Sequence, residues 1–188
     1  MVMPEAARRW TRQMVFALPD DRNRYELIDG ELIVTPSSAP PHQLLVAGLF
    51  ASLQPYLTRT GAGLILCSPA DLAFGEGEIL QPDLFVLPAP VPGPLTSWRE
   101  VTALLLAIEV LSPATARWDR GLKRRRYQRA RVAEYWIVDP DARVVERWRP
   151  ADTRPEIVDV VLEWRPDADI EPLRIELTAL FTQVLGTP

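Results

Sequence analysis

The sequence predicts a mixed α/β fold, in which a sheet with strands in both orientations carries helices on its faces. Three stretches predict it: "YELIDGELIV" near the N-terminus, the apolar run "LLLAIEVL", and the alternating "RVVERW" and "EIVDVVLEW" toward the C-terminus. With 188 residues, 47% of them hydrophobic, the chain fits one domain over residues 1–188 with a sizeable core.

In chain order, residues 5–16 have helical character and end at Pro19 and "DDRN". Asp29-Gly30 joins two short apolar runs, a strong hairpin signal. After "TPSSAPP", Leu45, Leu49, Leu53 and Tyr56 or Leu57 recur at helical spacing, which predicts a helix over 42–57 with Ser38 as its cap. "LILCSPADLAF" and "ILQPDLFVLP" read as consecutive strands. "VTALLLAIEVLSP" is long enough for a helix, but its β-branched residues and its stop at Pro113 favour a strand buried on both faces. A basic helix over 115–130 follows, then the strand "EYWIVDP", two alternating strands and a short helix over 177–185. In those C-terminal strands Trp136, Trp148 and Trp164 suit core packing or a dimer face better than base stacking.

Several function classes drop out. No apolar run approaches the ~20 residues of a membrane span, and "MVMPEAARRW" lacks a signal peptide's apolar stretch, so a soluble cytoplasmic protein with no membrane partner is expected. The single cysteine, Cys67, rules out an internal disulfide or a multi-cysteine metal site. Neither GxGxxG nor GxxxxGK[ST] occurs, which removes dinucleotide and P-loop chemistry. Ser112 has no nucleophile elbow, and the sole histidine, His42, is far from it in sequence.

The charge is uneven. Net charge is -4, yet Arg117, Arg120, Lys123, Arg124, Arg125, Arg126, Arg129 and Arg131 lie within residues 117–131 against one acid, Asp119. Such a cluster is either a phosphate-facing patch or a solvated helix face. Lys123 is the only lysine; every other basic residue is arginine.

Two acids interrupt apolar strands: Asp83 after Pro82, and Glu109 inside "LLLAIEVL". Burying a carboxylate costs ~2 kcal/mol or more unless a partner compensates. The ordinary partner is an arginine. The other is a metal, because carboxylates on neighbouring strands make an oxygen-rich site suited to Mg²⁺.

"QPDL" at 81–84, "IEVLSP" at 108–113, the residues Asp119, Lys123 and Tyr127, and "EYWIVDP" at 134–140 together resemble the PD-(D/E)XK restriction-endonuclease-like superfamily. More narrowly, with "YELIDGELIV" and "PPHQ", residues 20–145 resemble its bacterial branch of restriction-endonuclease-like proteins of unknown function. The resemblance implies a restriction-endonuclease-like core, a central mixed sheet flanked by helices, with extra antiparallel strands at both ends. It also implies a magnesium- or manganese-dependent endonuclease acting on nucleic acid, with DNA the expected partner, and a likeness that a homodimer would suit for cutting both strands.

Carried onto this chain, the Pro-Asp motif falls on Pro82 and Asp83 and the second acid on Glu109, with the Val110 backbone carbonyl as a further metal ligand. The superfamily's usual lysine position holds Leu111, and Lys123, from the following helix, takes that place. On a helix Asp119, Lys123 and Tyr127 share one face with Arg126. An amine there can orient or deprotonate a water, whereas arginine stays protonated. His42, Glu31, Gln81 and Tyr127 are accessory candidates, and Arg120, Arg124 and Arg126 are candidate phosphate-binding groups. The rival reading is a catalytically silent nucleic-acid-binding or assembly protein that keeps the nuclease fold.

Overall fold

A computed structural model describes residues 9–187 apart from Arg22 and Pro92. Helix α1, Arg12–Phe16, covers the described end of the predicted N-terminal helix; residues 5–8 lie outside the described residues. Strands β1, Arg24–Ile28, and β2, Glu31–Thr35, form the predicted hairpin. Its turn residues, Asp29 (φ 53) and Gly30 (φ 82), both have positive φ, the conformation that an Asp-Gly hairpin turn requires. The hairpin stands outside the main sheet and is tied in by a bridge between Leu27 and Ile79.

Helix α2, Pro40–Thr60, starts two residues before the predicted boundary. Ala39, not Ser38, sits at its N-cap and offers no side-chain hydrogen bond. Pro40 and Pro41 open the helix instead, having no N–H to leave unsatisfied. Leu45, Leu49, Leu53, Tyr56 and Leu57 are buried, as their spacing predicts, and Gly61 ends the helix at φ 66.

The main sheet has six strands in the order β3-β4-β5-β6-β7-β8. They are β3 Gly63–Cys67, β4 Leu84–Pro88, β5 Leu106–Val110, β6 Glu134–Asp139, β7 Val144–Trp148 and β8 Glu156–Val158. Only β5 and β6 pair in parallel; the other neighbours are antiparallel. Three predicted elements differ. "LILCSPADLAF" yields only β3, because Pro69 follows at once and cannot donate to a ladder; Leu72 makes a single bridge to Leu80. "EIVDVVLEW" divides into β8 and β9, Val161–Trp164, and β9 pairs with β10, Leu173–Glu176, a strand the sequence pattern did not predict. The basic helix is not uniform: α3, Ala116–Trp118, runs into a π-helical turn, Asp119–Lys123, and then α4, Arg124–Arg129.

Strand alternation sends side chains to two cores. Leu84, Val86, Leu106, Ile108, Trp136 and Val138 face α2 and α5, Leu177–Leu185. Phe85, Ala107, Tyr135 and Ile137 face the hairpin and the helix that carries Tyr127. Trp136 and Trp164 belong to the first core, where their rings meet edge to face, so neither forms an exposed dimer face.

Candidate active site

Asp83 is the residue just before β4, and Glu109 is the fourth residue of β5. The antiparallel register pairs Leu84 with Ile108, and one further step sets Asp83 opposite Glu109. Both then lie on the hairpin side of the sheet, with Phe85 and Ala107. Two strand neighbours thus bring together acids separated by 26 positions in the sequence, with β1 and the π-helical turn above them.

Lys123 closes the inner half of this cluster. It is fully buried, and its Nζ stands 2.8 Å from Glu26 Oε2, 3.0 Å from Glu109 Oε1 and 3.2 Å from Asp119 Oδ1. Burial alone would lower its pKa, but Glu109, Glu26 and Asp119 outweigh burial and hold it above the usual lysine value. With those three acids around it, the amine is a fixed ammonium ion rather than a base, which runs against a water-deprotonating role. Burial, aided by Asp119, Asp83 and Glu26, pushes the Glu109 carboxyl well above its ordinary range against the pull of Lys123. Burial also raises Asp119, against the pull of Lys123, which stands beside its Oδ1. The Tyr127 hydroxyl reaches Glu109 Oε1 at 3.4 Å, and the Tyr135 hydroxyl donates to the Asp119 carbonyl at 3.2 Å. The wide π-helical turn thus turns both Asp119 and Lys123 inward, in keeping with the frequent placement of such turns at functional sites.

Asp83 anchors the outer half. Its Oδ1 accepts from Arg24 Nη1 at 2.8 Å, and its Oδ2 accepts from the Val110 backbone N–H at 2.8 Å and lies 3.1 Å from His42 Nε2. Burial would raise this carboxyl, but His42, Arg24 and the Val110 N–H bring it down to about 2. Arg24 Nη2 is also 4.0 Å from Glu109 Oε2, and its Nε is 3.8 Å from Glu26 Oε2. The arginine partner expected for a buried acid is therefore present. Asp83, Arg24 and His42 line a cleft of about 840 Å³, together with Tyr25, Gln81 and Phe16.

The accessory candidates divide. His42 and Tyr127 join the cluster. The Gln81 backbone N–H donates to Glu26 Oε1 at 2.8 Å, while its side-chain amide is held by Asp71 Oδ1 at 2.8 Å. Glu31 is exposed on β2 and is not among the residues lining the cleft. What the structure places against Asp83 from Val110 is its N–H.

The three arginines expected to bind phosphate are engaged within the fold. Arg120 bonds Glu146 and Asp139, each at 2.6 Å; Arg124 lies over the Trp148 ring and donates to Gln128; Arg126 pairs with the buried Glu78. None of them lines the cleft. Conversely, Glu26 and Arg24 were not among the expected site residues. Their spacing of two along a strand puts both on one face, a signal the hairpin motif masked.

Among the described residues, Glu26, Asp83, Glu109 and Asp119 face two permanent cations, Arg24 and Lys123, and this excess of hard oxygen donors fits a divalent metal in charge and chemistry. Among the described residues, no three His, Cys, Asp or Glu side chains are arrayed to hold one as placed. The fit therefore rests on the chemistry of the donor set.

The six-stranded mixed sheet with helices on its faces agrees with the restriction-endonuclease-like fold that the resemblance implies. Residues 12–179 match the Uma2 family, described as "Putative restriction endonuclease", and the chain belongs to that family. Its fold is similar to the crystal structure of "a putative nuclease belonging to DUF820" from Anabaena variabilis ATCC 29413, at a TM-score of 0.68 and 17% identity, covering 93% of this chain and 99% of that one. No curated protein matches the chain. No helix among the described residues is long and apolar enough to cross a membrane.

Proposed function

We propose that this chain is a metal-dependent endonuclease that hydrolyses phosphodiester bonds of DNA. The observation that carries this reading is the register of β4 and β5, which sets Asp83, on the wall of an open cleft, opposite the buried Glu109. Asp83 and Glu109, with the Val110 carbonyl, would hold Mg²⁺ or Mn²⁺, and the bound metal would supply Lewis-acid activation of a water and charge neutralisation at phosphorus.

Lys123 keeps a positive charge behind Glu109 and fixes that carboxylate's orientation, while Glu26 and Asp119 fix the ammonium in turn. His42 stands beside Asp83 on the cleft wall and can hold or pass a proton there. The test is cleavage of DNA and RNA substrates with Mg²⁺, with Mn²⁺ and with chelator. Asp83→Asn and Glu109→Gln should abolish cleavage while circular dichroism stays native. Unaltered cleavage by Asp83→Asn would overturn the assignment.

The catalytically silent reading has its own support, since Arg24 and Lys123 already compensate much of the acid cluster. Calorimetric titration separates the two: Asp83-dependent uptake of a divalent ion favours the enzyme. Sedimentation velocity tests the expected homodimer.

A further inference from the structure

We propose that Arg24 is the residue that binds the substrate's phosphate, and that in this structure its guanidinium occupies the seat between Asp83 and Glu109 that a metal would take. The inference rests on the proposed metal-dependent reading and extends it.

Four observations lead to it. The guanidinium spans the two acids, 2.8 Å from Asp83 and 4.0 Å from Glu109. Of its three contacts to acids, only the one to Asp83 is a hydrogen bond; Glu26 at 3.8 Å and Glu109 at 4.0 Å are longer ion pairs. Its side chain is 19% exposed, whereas Lys123, in the same cluster, has no exposure. Among the described residues lining the cleft, Arg24 is the only lysine or arginine. A doubly charged ion held by Asp83 and Glu109 would repel a guanidinium at this distance. The open direction for Arg24 is the cleft, where its planar fork matches phosphate oxygens. The helix arginines cannot supply this charge, because they are paired elsewhere and lie off the cleft.

The experiment uses the full-length protein. Mn²⁺ affinity is measured by calorimetry for wild type, Arg24→Gln and Arg24→Lys, and anisotropy with saturating Mn²⁺ follows a fluorescent, cleavage-resistant phosphorothioate oligonucleotide. Arg24→Gln should bind Mn²⁺ about tenfold more tightly, since one charge-assisted hydrogen bond no longer has to break, and should bind the oligonucleotide about tenfold more weakly. Arg24→Lys should bind Mn²⁺ more tightly than wild type but keep most of the oligonucleotide affinity, because an ammonium keeps the charge but cannot span both acids; it carries the test if the glutamine variant does not fold. Unchanged or weaker Mn²⁺ binding, or unchanged oligonucleotide binding in Arg24→Gln, overturns the inference. If wild type takes up Mn²⁺ through Asp83 and neither variant tightens it, this inference alone falls. If neither wild type nor either variant binds Mn²⁺, the functional reading falls and takes this inference with it.

Discussion

The acid cluster has two cations set in opposite ways. Lys123 is sealed among three carboxylates at 2.8–3.2 Å with no exposure, while Arg24 borders the cleft with one hydrogen bond to an acid. A compact ammonium with three donors suits the closed inner site, and a fork that reaches two acids suits the open edge. The contrast shows how one cluster can hold a fixed structural charge beside a displaceable one.

The largest effect should come from the inner half. Lys123→Met removes the cation that the buried Glu26, Glu109 and Asp119 share, leaving only the longer Arg24 contacts, and should cost about 3–5 kcal/mol in chemical denaturation, enough to threaten folding. Lys123→Arg keeps the charge but must fit a larger group into a fully buried site, at about 1–3 kcal/mol. If Lys123→Met is as stable as wild type, the inner cation is not structural and the contrast is lost.

Asp83 gives the next effect, through pH. Its folded pKa of about 2 lies below the usual ~3.9 of an unfolded aspartate, so it contributes about 2 kcal/mol that is fully present above pH 4 and lost as pH falls through 2. The stability gap between wild type and Asp83→Asn should therefore shrink across that window. A gap that stays constant from pH 5 to pH 2 would show that the low value is wrong. Arg24→Gln should cost less than Lys123→Met, about 1 kcal/mol, because one hydrogen bond and two longer ion-pair contacts of a partly exposed group are lost.

The smallest effect belongs to the basic helix. Arg124→Ala should leave the salt dependence of DNA binding unchanged, since Arg124 packs on Trp148 and does not line the cleft. A slope reduced by about one would instead place that arginine on a phosphate.

Much of the fold was legible because its signals are local. The Asp-Gly turn, the leucine spacing of α2 and the apolar run of β5 each carry their own period or turn chemistry. β10 was not legible: "LRIE" is too short to show a period and becomes a strand only by pairing with β9. The π-helical turn was hidden too, because the four-residue spacing of Asp119, Lys123 and Tyr127 looks alike in a uniform helix and one that widens at Asp119–Lys123. At the site, Asp83 and Glu109 stood out as acids in apolar strands, while Glu26 was concealed by a motif that already had a structural explanation.

By itself, the sequence determined the mixed α/β class, the two strand-borne acids and the singular lysine, all of which follow from residue type and spacing along the chain. Only the tertiary structure decided which charges meet. It set Lys123 among three acids and Arg24 across Asp83 and Glu109, and it turned the helix arginines toward Glu146, Asp139 and Glu78. The reason is physical: charge pairing depends on distances of a few ångströms between residues tens of positions apart, and sheet register and helix packing set those distances.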